Sequence, residues 1–503
     1  MLELSRESNV DVLRQAALIL DQENKKLIQK NLQLTRELLS LKGEPQMDLA
    51  LKLEQLEQQL AARNQKLFGD SSEKRGMGTT LKTEPKPQTG HGPREQPELP
   101  IVEAIHQLDA PDQMCPQCGG QLTEWAGQFE ESEETDFVER RFFVRKHKRQ
   151  KYRCACGGCV ETALGPPKLT KGGRYSVELA VHVAVSKYLD HLPLERQVRM
   201  MARQGLRIDS QTLWDQIEAL CRHLQPAHEA LHAHVLCQRV IGADETHWKL
   251  MGKKDAEGGE AKRWQVWAIA APDAVSYTFE DSRSVAAADH VLGAYKGIVM
   301  ADGYGAYQAL QKKSGTFTLA HCWAHVRRKF VEIEEFFPAE ATAALDLIGE
   351  LYGVEKLCPT GPPGDELRRK LRAERSREIV GRIQAWALSV RALPQSGLGK
   401  ALAYMAGLWP GLTRFLDDPT IPLDNNATER ALRGVVVGRK NHYGSRSRRG
   451  TEVAALLYSL CETAKLNGID PANYLAAATW SALRGEQILL PHELLAQSKP
   501  LAH

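Results

Sequence analysis

Asp244 and Asp302 each follow an apolar run rich in β-formers, Val240-Ile241-Gly242-Ala243 and Ile298-Val299-Met300-Ala301. Acids at the ends of neighbouring strands of one sheet can share divalent cations. Mg²⁺ takes oxygen ligands and needs few protein carboxylates. Two such ions can activate a nucleophile and stabilise the leaving oxygen of a phosphoryl transfer. A third acid is then expected on a later helix. Glu429 fits, in Asp424-Asn425-Asn426-Ala427-Thr428-Glu429-Arg430, where Asp424 or Asn425 can begin that helix. One acid after an apolar strand can equally cap a turn; two in a run of strands carry more.

Beyond Glu429 the chain turns basic. Arg430, Arg433, Arg439, Lys440, Arg446, Arg448 and Arg449 occur with no acid until Glu452. Beside an acidic metal site, such a run can hold substrate phosphates, and Gly444 to Gly450 reads as a flexible basic loop. His321 and His325 flank Cys322 at helical spacing, next to Arg327 and Arg328. We read that stretch as a packing or DNA-facing helix rather than a ligand set.

Five of the ten cysteines fall between Cys115 and Cys159. Cys115-Pro116-Gln117-Cys118-Gly119 is a zinc-knuckle sequence, in which two thiolates two residues apart grip one edge of a metal. Its partners come from Cys154, Cys156 and Cys159, three thiols for two places in a tetrahedral Cys₄ site. Four thiolates leave no open position, so the zinc is structural. Between the knuckles an acidic stretch gives way to Arg140, Arg141, Arg145, Lys146, Lys148 and Arg149, with Phe142, Phe143 and Tyr152 interleaved. That mixture suits phosphate contacts and base or sugar packing.

Leu194 to Gly205 reads as a helix closed by glycine. After a short turn, Asp209 or Ser210 can cap a second helix from Gln211 to Leu220. This is a helix-turn-helix candidate, with Gln211 and Thr212 outward near the start of the recognition helix.

The surrounding elements divide the chain. Leu13, Leu20, Leu27, Leu34 and Leu41 repeat every seven residues, with Val10, Ala17, Asn24, Asn31 and Leu38 three positions before each. Residues 1–69 therefore read as a leucine zipper, a coiled coil that makes a homodimer or higher oligomer. Residues 70–100 are a linker with almost no apolar side chains. The cysteine unit spans 101–165, and a helical, helix-turn-helix-like DNA-binding region spans 166–235. Strands then dominate to about Tyr307, with helices over roughly 320–420. Residues 456–503 form a C-terminal helical region. No stretch is apolar and long enough for a transmembrane helix, and the start of the chain lacks the features of a signal peptide. The expected location is the cytoplasm, at the nucleoid. Lys and Arg total 66 against 63 Asp and Glu, a net +3 that by itself announces no nucleic-acid partner.

Taken together, these motifs are familiar. The chain resembles the transposases of the bacterial insertion-sequence family numbered sixty-six, within the DDE (RNase H-like) superfamily. The resemblance rests on Leu67-Phe68-Gly69, the Cys115–Gly119 knuckle, His182 to Leu194, Asp244-Glu245-Thr246 and Ala301-Asp302-Gly303-Tyr304. It continues through Cys322-Trp323-Ala324-His325-Val326-Arg327-Arg328, Asp424 to Arg430, and Val437-Gly438-Arg439-Lys440-Asn441. It implies a multidomain α+β protein: coiled coil, zinc ribbon, helix-turn-helix, and an RNase H-like α/β catalytic core over 236–455. The helices at about 331–420 are then an insertion in that core. It implies Asp244, Asp302 and Glu429 as the catalytic triad holding Mg²⁺ or Mn²⁺. It implies cleavage of DNA at terminal inverted repeats and transfer of the 3′-hydroxyl to target DNA. Small accessory proteins of the same element are implied as partners. The departure is the second knuckle, where three thiols stand in place of a simple pair. The competing expectations are an RNase H-like nuclease without strand transfer, and a non-catalytic zipper and zinc-ribbon regulator.

Overall fold

The computed structural model describes residues 117–122, 142–153, 159–251 and 263–498. The zipper, the linker and most of the cysteine unit, with Cys115, Arg140, Arg141, Cys154 and Cys156, lie outside the described residues. The chain forms two compact units, one of residues 74–143 and one that includes everything from Val144 onward. Of the first, the described part holds a turn at Gln117 and Cys118, with the Cys118 thiol exposed.

The second unit opens with a two-stranded antiparallel sheet, β1 (Lys151–Arg153) and β2 (Val160–Thr162). Helix α1 (Val177–Tyr188) is capped by the Ser176 hydroxyl, which accepts from the Leu179 N–H. Helix α2 (Leu194–Arg203) and the 27-residue α3 (Ser210–Leu236) follow. Asp209 caps α3 by accepting from the Thr212 N–H. The helix runs well past Leu220. Its buried stripe of Leu213, Ile217, Leu220, Leu224, Ala227, Leu231 and Val235 continues at helical spacing through Pro226. That continuing burial offsets the one N–H the proline removes.

The core is a five-stranded mixed sheet in the order β5-β4-β3-β6-β7. Its strands are β3 (Val240–Lys249), β4 (Arg263–Ala270), β5 (Val275–Glu280), β6 (Ile298–Ala301) and β7 (Thr318–His321). β3, β4 and β5 form an antiparallel meander, while β6 and β7 run parallel to β3. β3 does not stop at the acid of Val240–Asp244. It pairs with β4 as far as Lys249↔Arg263, so Asp244 sits within the strand. β7 lies in a region whose sequence reads as helical. Helices α4 (Val285–Leu292), α5 (Gly305–Ser314) and α6 (Trp323–Val331) link and extend the parallel half.

A helical block follows: α7 (Pro338–Glu355), α8 (Asp365–Leu371), α9 (Arg377–Ser389) and α10 (Gly397–Leu412). Its apolar core is continuous with the sheet, because Leu345, Ile348, Leu351 and Leu408 cluster with Met300, Ala320 and Trp323. Arg372, 1% exposed in the π-helical turn between α8 and α9, pairs with Glu355 at 2.7 Å. It also donates to the carbonyls of Phe415 and Asp418. All its charge is thus matched inside the block.

Helix α11 (Asn426–His442) lies against β3 and β4, and α12 (Arg448–Leu466) lies along β5. β5 is an outer strand, yet its edge is not bare. The Val275 N–H donates to Thr463 Oγ1 at 3.0 Å, and the Tyr277 N–H to Ser459 Oγ at 2.9 Å. Helix hydroxyls thereby take the place of a sixth strand. Helices α13 (Pro471–Arg484) and α14 (Pro491–Ser498) complete the unit. Among the described residues, no helix is long and apolar enough to cross a membrane.

Candidate active site

The parallel pairing of β3 with β6 sets Val240↔Ile298 and Gly242↔Met300. Asp244 and Asp302 each lie two residues beyond the Gly242↔Met300 pair. Strand side chains repeat with period two, and neighbouring strands lie about 4.8 Å apart. The two acids therefore lie at the same level of adjacent strands. Asp302 is fixed from two sides: the Tyr304 N–H donates to its Oδ1 at 2.8 Å, and the Tyr404 hydroxyl donates to its carbonyl.

Glu429 lies in the first turn of α11. That helix start is tied to the sheet. Asn425 Nδ2 donates to the Ala243 carbonyl at 2.9 Å, and the Asn425 N–H donates to Cys322 Sγ at 3.2 Å. Gly242 permits the approach. A Cβ there would overlap Thr428 Oγ1 and Asn425 Oδ1.

The electrostatics agree with this proximity. The Asp244 carboxyl is pushed up to about 7, first by burial, then by the negative charge of Glu245, with Asp302 and Glu429 adding to it. The Glu245 N–H donates to Asp244 Oδ1 at 2.8 Å and opposes the rise. Glu245 is itself raised by burial, while Arg283 and Tyr307 pull it down. Arg283 Nε donates to Glu245 Oε1 at 3.1 Å, and the Tyr307 hydroxyl donates to Oε2 at 2.9 Å. The Arg283 guanidinium lies 4.1 Å over the Tyr304 ring. A buried carboxylate whose neighbours are carboxylates is an environment that a cation stabilises, and oxygen donors suit a hard divalent ion.

Cys322, His325 and Glu429 also converge, with one ligand atom of each within 4.8 Å of the others. His325 Nδ1 lies 3.7 Å from Glu429 Oε1, and Arg328 Nη2 lies 3.9 Å from Oε2. Among the described residues, His325 Nδ1 and Glu429 Oε1 are buried without a hydrogen-bond partner. The Cys322 thiol is pushed up to about 12 by burial, which keeps it protonated. The sequence shows the one-turn spacing of Cys322 and His325 but not the acid that α11 brings to them. His321 is separate, buried at the end of β7 where Gly411 leaves room for its ring.

The basic candidates divide into exposed and engaged groups. Arg430, Arg433 and Lys440 are exposed on α11, and Arg446 and Arg448 are exposed just beyond it. Arg439 is half-buried and donates to Thr246 Oγ1 at 3.1 Å. Arg449 pairs with Glu218 at 3.4 Å and with Glu452 at 3.1 Å. Arg327 and Arg328 are half-buried on α6. The Gly444–Gly450 loop is anchored, since Ser445 accepts from the Met251 N–H and donates its own N–H to Lys249. Arg145, Lys146, Lys148 and Arg149 are exposed, with Arg149 Nε donating to the Ala163 carbonyl. On α3, Gln211 is exposed and donates to Asp215, while the Thr212 hydroxyl bonds Asp209. Cys159 is exposed.

Two family models match the chain. One, described as Transposase IS66 family, covers residues 172–453. The other, the zinc-finger binding domain of transposase IS66, covers residues 112–157. That second span takes in Cys115, Cys118, Cys154 and Cys156 and ends before Cys159. Among similar proteins of Sinorhizobium fredii, the uncharacterized protein y4jD is 34% identical over 69% of this chain and 70% of its own length. The uncharacterized protein y4qI is 30% identical over 80% of this chain and 75% of its own length.

Proposed function

We propose, since the chain belongs to the IS66 family of transposases, that it is a DDE-type enzyme: it cuts DNA at element ends and joins the freed 3′-hydroxyl to target DNA. The observation that carries this reading is that the charges of Asp302, at the same level of the adjacent strand, and Glu429, at the start of α11, both act on the buried Asp244 carboxyl. The strand order β5-β4-β3-β6-β7 supports an RNase H-like core, with the helices after α6 as its insertion.

Asp244, Asp302 and Glu429 would hold Mg²⁺ or Mn²⁺. Such ions, when bound, lower the cost of forming the attacking oxygen and of releasing the leaving one. The protein's own residues supply the rest. Asn425 and Gly242 set Glu429 against β3. Arg283 pairs with Glu245 Oε1 and the Tyr307 hydroxyl donates to Oε2, so that Asp244 is the β3 acid left for a cation. Arg430, Arg433 and Lys440 line one exposed side of α11 beside the acids, where phosphates would rest. No tyrosine or serine nucleophile is required.

The zinc-finger match supports a structural zinc, for which we assign Cys115, Cys118, Cys154 and Cys156. The finger and the helix pair α2–α3 would bind the terminal repeats, and the N-terminal zipper would bring two chains and two ends together.

The test is an assay with end DNA, target DNA and Mg²⁺. The wild type should yield cleaved and joined products. Asp244→Asn, Asp302→Asn and Glu429→Gln should each lose both by about a thousandfold or more, while still binding the ends. Hydrolysis without joined products would favour a nuclease, and unchanged activity in the variants would overturn the triad.

A further inference from the structure

A second convergence of metal-binding side chains uses none of the residues above. His234 lies in the last turn of α3, Asp273 in the turn between β4 and β5, and His492 in α14. One ligand atom from each lies within 4.8 Å of the other two. His234 Nε2 is 3.0 Å from Asp273 Oδ2. The His234 and His492 rings stack, with centroids 3.8 Å apart and planes 19° apart. Asp273 Oδ1 and His492 Nδ1 are buried without a hydrogen-bond partner among the described residues.

The turn itself is held in place, because Asn467 Nδ2 of the stretch after α12 donates to the Asp273 carbonyl at 2.7 Å. Three elements far apart in sequence thus deliver two imidazoles and a carboxylate to one spot. Two of their polar atoms are still unmatched.

We propose that His234, Asp273 and His492 form a transition-metal site, with Zn²⁺ as its ion. Imidazole nitrogen and carboxylate oxygen are ordinary zinc donors, whereas imidazole is a poor partner for Mg²⁺. Three protein ligands leave the fourth tetrahedral place to water. On binding, the ion takes the place of the His234 Nε2···Asp273 Oδ2 hydrogen bond, and the neutral ring carries its one proton on Nδ1, with no net release to solvent. The ion then clips α14 to the β4–β5 turn and to the end of α3. This site differs from the finger in having no thiolate.

The test compares zinc content and Co²⁺ spectra of the full-length wild type with two variants, His492→Ala and Asp273→Asn. Each variant should bind one equivalent of Zn²⁺ fewer than the wild type. Cys118→Ser should keep that equivalent while losing the thiolate charge-transfer band of Co²⁺. Zn²⁺ should raise the melting temperature of the wild type more than that of either variant. Asp273→Asn is nearly isosteric and carries the comparison if His492→Ala fails to fold. Equal zinc content in the wild type and Asp273→Asn would overturn the site. So would loss of the extra equivalent in Glu429→Gln, which would assign it to the Cys322, His325 and Glu429 group.

Discussion

At Asp244, burial and three neighbouring acids hold the proton on until about pH 7, against an ordinary value of 3.8. Below that ordinary value the folded and unfolded chains both carry the proton, and the group contributes no pH dependence. Between the two values only the unfolded chain releases it. Stability therefore falls as pH rises across this window, and the loss is complete above the folded value. In a chelator, the melting temperature should drop from pH 4 to pH 7 by more in the wild type than in Asp244→Asn. Mg²⁺ should raise it more at pH 8 than at pH 5. Calorimetry across pH checks both, and identical profiles for the two proteins would remove Asp244 as the source. The proposed acids were legible because each interrupts or follows a recognisable run. Glu245, Arg283, Tyr307 and His325 were not, because their roles depend on partners distant in the chain. Nothing local marks Glu245 as the acid that is neutralised and Asp244 as the one that is not.

Among the elements, the outer strand β5 depends on α12. Removing the Thr463 hydroxyl leaves the Val275 N–H buried and unmatched, which costs about 1–3 kcal/mol. Thr463→Val should show that loss in denaturant unfolding, and Ser459→Ala should do the same through Tyr277. A second element-scale expectation concerns α11. Gly242→Ala forces the helix start away from β3, at a cost of about 1–3 kcal/mol. Cleavage should fall by about tenfold or more with end binding retained, measured by product yield and by gel shift. Wild-type cleavage in Gly242→Ala would show that the close approach is not needed. The strands β3 to β6 were readable from their apolar runs. β7 was hidden because four residues, Thr318–His321, three of them buried, carry too short a pattern to stand out from the helices around them. The second half of β3 was hidden because Thr246 to Lys249 reads as polar until β4 pairs with it.

For the whole molecule, the net charge of +3 averages over opposed surfaces. Acids gather in the middle of β3 and just past the end of β6, while exposed arginines and lysines line α11 and the approach to β1. A zinc finger draws most of its folding free energy from the metal, so loss of one ligand should unfold it. Cys118→Ser should weaken end binding by about tenfold or more, a change worth about 1.4 kcal/mol per factor of ten. Melting of the helices and sheet from Val177 onward, past every proposed zinc ligand, should stay as in the wild type; an equal loss there would contradict a finger that folds apart from them. The placement of α11 and α12 late in the chain has a consequence for synthesis. Asp244 and Asp302 leave the ribosome well before Glu429, and the helix that covers β5 follows later still. Growing at about 5–20 residues per second, the chain spends several seconds with its sheet made and its chemistry unfinished. On the proposed mechanism a nascent or prematurely ended chain cannot cut DNA, and its bare outer strand marks it for aggregation or degradation before it can do harm.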